Sequence, residues 1–287
     1  MIKQETPSVV LTGSGGYLGA QVYRALKLAN IRVNFFSFRQ FLCGAATPTA
    51  LRKLQRADVI CHLAAIHPHQ SITPTDESYW EVNVEGTKRL LAASKIDKRV
   101  VFASSAMAVL EEESLTLNQG LLAYGSSKQA VEGLVVENSG KSLSLRLQAL
   151  AGAHREPEVG LIGKALRASS DDSTLKIFAH APPREYLHVC DAAAAVVAAC
   201  LTPFAGHTVI DIGSGIPQRV SVVVATVERV TGKTIKTQRV APRIEPEPIS
   251  SNLSAAKKLL SWQPRKSSLH QIVADQWKDQ QLSLIHI

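Results

Sequence analysis

The sequence predicts an α/β protein in which a doubly wound parallel sheet carries a smaller C-terminal lobe. Three observations point there. Through the first half, short apolar runs alternate with segments of helical periodicity, the pattern of consecutive βαβ units. A glycine-rich turn, Thr12-Gly13-Ser14-Gly15-Gly16-Tyr17-Leu18-Gly19, separates the first apolar run from the first helical segment. Beyond about Ala149 the alternation loosens into Gly, Pro and polar clusters.

Taken in order, Ser8-Val9-Val10-Leu11 is a buried strand, followed by the glycine turn and a helix reaching about Leu28. Ile31 to Phe38 is strand-like, Leu51 to Arg56 helical, and Ala57 to Leu63 a further strand. Glu77 to Ser94 places Tyr79, Val82, Leu90 and Leu91 at helical spacing. Arg99 to Ala103 is a strand ending in Ser104-Ser105, a helix carries Tyr124 and Lys128, and Leu143 to Leu147 is the next strand. Ala149 to Arg184 reads as a loop-rich insertion, Asp191 to Leu201 as an alanine-rich helix, and Thr208 to Ile212 as a returning strand. The expected organisation is a dinucleotide-binding domain over 1–148, rejoined by 186–215, with 149–185 and 216–287 forming a substrate-binding lobe. The closing Leu282-Ser283-Leu284-Ile285-His286-Ile287 follows no clear pattern.

With 287 residues, 45% hydrophobic and 20% charged, the chain has the make-up of a soluble globular protein with a sizeable core. No run of about 18 apolar residues suggests a membrane span, and the start lacks the apolar region of a secretion signal, so a cytoplasmic location is expected. Cys43, Cys61, Cys190 and Cys200 show no Cys-x-x-Cys spacing and lie in apolar runs, as small core residues of a reducing compartment do. The net charge of +8 comes from Lys and Arg scattered along the chain without a dense basic block or interleaved aromatics. That distribution argues against nucleic acid as a partner and is compatible with an anionic small substrate.

The glycine turn follows a strand and opens a helix, the context that gives such spacing its meaning. Gly13 permits the tight turn, Gly16 lets the backbone approach a pyrophosphate, and Gly19 allows close helix–strand packing. The helix N-terminus supplies free N–H groups and a positive dipole end for the phosphates. These features predict a Rossmann-type nicotinamide dinucleotide site including Tyr17 and Leu18. At the end of the second strand an acidic residue selects NAD, whereas Arg accommodates the extra phosphate of NADP. Ser37 and Arg39 lie there with no Asp or Glu nearby, which favours NADP over NAD; in the alternative, Arg39 points to solvent.

Tyr124 and Lys128 stand at i and i+4, on one face of a helix. A free phenol ionises near pH 10, so it needs a neighbouring cation to exchange protons near neutrality. Lys128 and the positive ring of an oxidised nicotinamide both favour the phenolate, and Ser105 is placed to hydrogen-bond a reacting oxygen.

These motifs, in this order, resemble the extended short-chain dehydrogenase/reductases of the NAD-dependent epimerase/dehydratase family. The resemblance also includes Leu63-Ala64-Ala65, Asn83-Val84-Glu85-Gly86-Thr87, Arg184-Glu185-Tyr186-Leu187-His188-Val189-Cys190-Asp191 and Leu260-Ser261-Trp262-Gln263-Pro264. It implies Tyr124 as general acid/base, Lys128 holding the nicotinamide ribose and lowering the tyrosine pKa, and Ser105 orienting the substrate oxygen. Leu63, Ala64, Ala65, Asn83 and Ser104 would line the cofactor groove, and Arg184 would meet the phosphates of a nucleotide substrate, a role its planar guanidinium suits. A homodimer through paired helices, one of them containing Tyr124, is also implied.

The chain departs from the family pattern at several positions. Ala106 and Met107 stand where sugar dehydratases carry an Asp-Glu pair, which argues against elimination. Within Leu145 to His154, which resembles an epimerase stretch ending Gly-Ala-His, Ala149 replaces an asparagine that helps to bind nucleotide sugars. Val109 and Leu110 replace a Tyr-Gly, and Ala45 stands where many relatives have an Asp near the adenine. His62, His67 and His69 lack the further ligands a metal site needs; His67, in the loop after a strand's C-terminal end, is a candidate substrate contact. The expected function is hydride transfer at a secondary alcohol or ketone of a nucleotide sugar, as an epimerase or as a ketosugar reductase or dehydrogenase. The alternatives are an NADP-dependent reductase of a non-nucleotide ketone or aldehyde, and a non-catalytic NADP-binding sensor.

Overall fold

The computed structural model describes residues 6–68, 74–94, 98–109, 119–153, 159–241 and 249–285. Val9–Thr12 (β1) is entirely buried and leads through the glycine turn into Tyr17–Leu28 (α1). Val33–Phe36 (β2) is shorter than the strand expected over Ile31 to Phe38. Ser37 ends it by capping Phe38–Leu42 (α2), its Oγ accepting from the Gln40 N–H. Pro48–Arg56 (α3) begins earlier than expected, with Thr47 as N-cap and Pro48 in its first turn. Val59–His62 (β3) follows. The single helix expected over Glu77 to Ser94 is three pieces: Asp76–Tyr79 (α4), a π-helix over Trp80–Glu85, and Gly86–Ser94 (α5). Arg99–Ser105 (β4) runs into a 3₁₀ turn over Ala106–Val109. Gln119–Asn138 (α6) and Lys141–Leu147 (β5) complete the first half.

The loop-rich segment expected after Ala149 is instead largely regular. It contains Ala149–Ala151 (β6), Gly160–Asp171 (α7), Leu175–Phe178 (β7) and the start of Arg184–His188 (β8). In α7, Ile162, Ala165, Leu166 and Ser169 are buried at helical spacing, a signal diluted by intervening Ser, Gly and Asp. Val189–Leu201 (α8) and His207–Ile212 (β9) come next. Pro217–Gln218 (β10), Val220–Thr231 (α9), Thr237–Val240 (β11), Ser254–Leu260 (α10) and Leu269–Ile285 (α11) finish the chain.

The main sheet has six parallel strands in the order β2-β1-β3-β4-β5-β9. Residues of α1 and α8 cover one face, with Leu260 of α10 and Trp262 in the same apolar cluster. Residues of α3, α5 and α6 cover the other face. Near-continuous apolar runs such as Val59-Ile60-Cys61 are what a strand buried on both sides requires. A third cluster joins Ala151, α7, Leu175, α9 and the start of α11. Beside it lie a three-stranded sheet, β10-β8-β6, and the parallel pair β11-β7.

The cysteines are free thiols, with Cys61 and Cys200 buried as expected. Cys43 departs from that expectation, since it is the exposed C-cap of α2. Among the described residues no helix is long and apolar enough to cross a membrane.

Candidate active site

Because the sheet is parallel, the segments leaving β1, β3 and β4 emerge along one edge, the usual ligand edge of an open α/β sheet. The glycine turn leaves β1, Leu63-Ala64-Ala65 leave β3, and Ser105 ends β4. Gly13 has φ +71°, and a Cβ there would lie 2.7 Å from the Ala64 backbone nitrogen; a Cβ on Gly19 would meet the Gly13 carbonyl. Gly16 caps α1 without a side-chain hydrogen bond, and a Cβ on Gly15 would meet nothing within 4 Å. The result is an uncapped helix end facing open space, with turn and β3 loop in backbone contact. Such a cradle suits a pyrophosphate. Tyr17 is partly buried and Leu18 buried at the start of the helix. Ser37 and Arg39 are both exposed just beyond β2, as is Ala45.

The catalytic candidates come together on β4 and α6. The Ser105 hydroxyl, close enough to the Tyr124 phenol to affect its ionisation, accepts from the Met107 N–H at 3.2 Å. Burial pushes the Tyr124 phenol up to about 12; the Ser105 hydroxyl opposes that shift, and nearby Tyr79 adds to it. The two tyrosine rings meet edge to face with centroids 5.8 Å apart. Lys128 is buried, its Nζ donating to the Ala103 carbonyl at 2.8 Å and lying 5.8 Å from the Tyr124 ring centroid. Burial brings its ammonium down to about 7, while the Glu132 carboxylate pulls the other way. The phenol is thus raised, opposite to the lowering by Lys128 that the resemblance implies, because burial outweighs the neighbouring amine, itself brought toward its neutral form.

Asn83 lies inside the π-helix, a local widening often found at functional sites. Its Oδ1 accepts from the Ile66 N–H at 2.9 Å, and its Nδ2 donates to the Ile66 carbonyl and the Ser127 hydroxyl. It therefore ties the loop after β3 to the catalytic helix. Ser104, placed by the resemblance in the cofactor groove, gives its hydroxyl to Glu132 at 2.6 Å. Arg184 is partly exposed on β8, where it pairs in register with Gln218, and His67 is partly buried just beyond Ile66. His69 and His154 lie outside the described residues, as does Leu110. Among the described residues no group of three or more His, Cys, Asp or Glu could hold a metal ion.

Sequence reasoning gave no role to Glu132 or Ser127 and took Tyr79 only as an apolar helical position. Only Glu132 carried a local signal, since it repeats the i+4 step that links Tyr124 to Lys128.

Fold, glycine cradle and Ser105–Tyr124–Lys128 cluster define an enzyme of the extended short-chain dehydrogenase/reductase type. The family model described as the NAD dependent epimerase/dehydratase family matches residues 9–213, and the chain belongs to that family. It is 28% identical to a UDP-glucose 4-epimerase of Streptomyces lividans, over 94% of both chains. It is 27% identical to a ceramide reductase of Caulobacter vibrioides, over 69% of this chain and 62% of that one. A solved UDP-glucuronic acid 4-epimerase from Bacillus cereus, in complex with UDP-glucuronic acid and NAD, superposes with a TM-score of 0.80. That similarity covers 96% of this chain and 99% of the other at 22% identity, and it concerns the fold.

Proposed function

We propose that this enzyme moves a hydride at a secondary alcohol or ketone of a nucleotide-activated sugar, with epimerisation as the net reaction. The single observation that carries the proposal is the meeting of Tyr124 with the buried Lys128, whose Nζ lies 5.8 Å from the phenol ring centroid, at the end of the strand that carries Ser105. When bound, the nicotinamide ring supplies the hydride acceptor and donor. The chain's own groups do the rest. Ser105 orients the substrate oxygen, and Tyr124 takes the hydroxyl proton and returns it. Lys128, released from the Ala103 carbonyl, holds ribose hydroxyls and favours the phenolate. Asn83 fixes the loop wall and Arg184 meets the substrate phosphates. The epimerase relatives, aligned over nearly the full chain, support this substrate class.

The family is described as NAD dependent. The exposed Ser37 and Arg39, with no acid beside them, support NADP as the preferred form. Residues 149–185 and 216–287 supply the substrate side. The exposed Trp80 and Val136, half-open on the adjoining π-helix and α6, support pairing of two copies through those helices. Light scattering tests that pairing, and a monomer at all concentrations excludes it.

A second reading, reduction of a non-nucleotide ketone, is favoured by the exposed Ala149 in place of an amide and by the ceramide reductase relative. Incubation with a panel of nucleotide sugars separates the two. Interconverted epimers without net change in the dinucleotide support the proposal. Turnover confined to a lipid or other non-nucleotide ketone, with net oxidation of NADPH, replaces it with the second reading.

A further inference from the structure

His62, the last residue of β3, is buried with no part in the chemistry described above. Its ring stands between two threonine hydroxyls, Nδ1 at 2.7 Å from Thr12 Oγ1 and Nε2 at 2.9 Å from Thr87 Oγ1. Both threonines are buried as well. The surrounding bonds fix where each hydrogen lies. Thr87 donates its only hydroxyl hydrogen to the Asn83 carbonyl at 2.6 Å, so the bond to His62 must be donated by the ring from Nε2. Thr12 Oγ1 already accepts from the Leu63 and Ala64 N–H groups, each at 3.2 Å, which occupies both lone pairs. A hydrogen on Nδ1 would then point at an oxygen with no lone pair left, and the Thr12 hydrogen would have no acceptor. The ring is therefore neutral and protonated on Nε2, with Thr12 donating to Nδ1. Burial, with the Lys128 ammonium nearby, holds the imidazole down at about 3, in keeping with a neutral ring.

The bonds thus run in one direction. Leu63 and Ala64 amides donate to Thr12, Thr12 to His62, His62 to Thr87, and Thr87 to the Asn83 carbonyl. Asn83 continues through its side chain to Ile66 and to Ser127, whose hydroxyl donates to the Tyr124 carbonyl at 2.7 Å. At the other end Thr12 immediately precedes Gly13, which abuts Ala64. Phe38 meets the imidazole at a steep angle, centroids 5.0 Å apart, and Phe102 stacks on it at 5.9 Å, so the ring cannot swing to other partners.

We infer that His62 is a positioning residue which, locked as one tautomer, sets the glycine turn and the Leu63–Ala65 loop at a fixed spacing from Asn83 and the catalytic helix. The inference rests on the dinucleotide reading of the cleft only for its functional consequence. The tautomer can be read directly by 15N NMR of the imidazole nitrogens, with the His62 signals identified by their loss in His62→Phe. At pH 7 the wild-type ring should show an unprotonated Nδ1 and a protonated Nε2. A protonated Nδ1 overturns the inference.

Calorimetric titration with NAD and NADP reads the consequence. His62→Phe keeps the ring stack and removes both bonds, and Thr87→Val cuts the far end at constant volume. Each should weaken dinucleotide binding about tenfold while kcat at saturating dinucleotide changes less than about threefold. His62→Asn, which restores an acceptor toward Thr12, should recover most of the affinity. Binding within about twofold of wild type in both His62→Phe and Thr87→Val overturns the positioning role. If His62→Phe fails to fold, Thr87→Val decides the binding effect, and loss of the His62 signals in His62→Asn identifies them for the tautomer measurement. A wild-type chain that binds neither dinucleotide defeats the reading of the cleft, and the tautomer measurement still decides the bond chain.

Discussion

Glu132 grips Arg146 through two bonds, Nε to Oε1 at 2.9 Å and Nη2 to Oε2 at 2.6 Å, and takes a third from the Ser104 hydroxyl. The pair ties the catalytic helix α6 to β5 and, through Ser104, to β4. Glu132 is buried and Arg146 mostly so. Its carboxylate also sits one helical turn from Lys128, where it helps to keep a buried ammonium charged.

Removing one partner of such a pair leaves the other charge without compensation. Glu132→Gln should therefore lower unfolding stability by about 3 kcal/mol. Denaturant unfolding monitored by circular dichroism measures this, and a loss under about 1 kcal/mol would show that solvent satisfies Arg146.

Lys128 gives a pH signature whose sign is fixed by its shift. Its ordinary value of 10.5 falls to about 7 in the folded chain. Between those values the unfolded chain holds the proton and the folded chain does not, so this group makes stability rise with pH across that window. Lys128→Met lacks the effect. The variant's stability relative to wild type should be highest below pH 7 and should decline steadily toward pH 10. Parallel unfolding curves at pH 6 and pH 9, with an unchanged difference between the two proteins, would contradict it.

Tyr124→Phe keeps the edge-to-face contact with Tyr79 and removes the phenol hydroxyl next to Ser105. Turnover should fall about 100-fold or more, while dinucleotide affinity stays within about threefold. Retained turnover in a coupled spectrophotometric assay would assign the proton transfer elsewhere.

Arg39 is tested by cofactor choice. Arg39→Ala should weaken NADP about tenfold and leave NAD nearly unchanged, since only the extra phosphate loses a charged partner. Equal losses for both dinucleotides would place Arg39 on a part they share.

What the sequence disclosed divides by distance along the chain. The buried strands β1, β3, β4 and β5 are short apolar runs, and the glycine turn and the Tyr124–Lys128 step are complete within a few residues, so pattern alone places them. The end of β2 was misplaced although Ser37-Phe38-Arg39-Gln40 has the spacing of a capping box, a local signal outweighed by the run of phenylalanines. The His62 chain joins Thr12 to a residue 50 positions away and His62 to one 25 positions away. No window of periodicity reports such partners. Arg146 lies in the strand expected there, but its pairing is hidden from local pattern because its partner Glu132 lies 14 residues back, on another element.

The placement of β9 has a consequence for how the chain assembles at the ribosome. β5 borders β9 as well as β4, and the Ser142–His207 contact spans 65 residues. Arg99, at the start of β4, likewise waits for the carbonyls of Cys200 and Thr202, about a hundred residues later. At roughly 5–20 residues per second, the nascent sheet keeps a bare β5 edge for several seconds before its cover is made. During that interval the half-built sheet is open to pairing with a neighbouring nascent chain, and chaperone capture is best timed there.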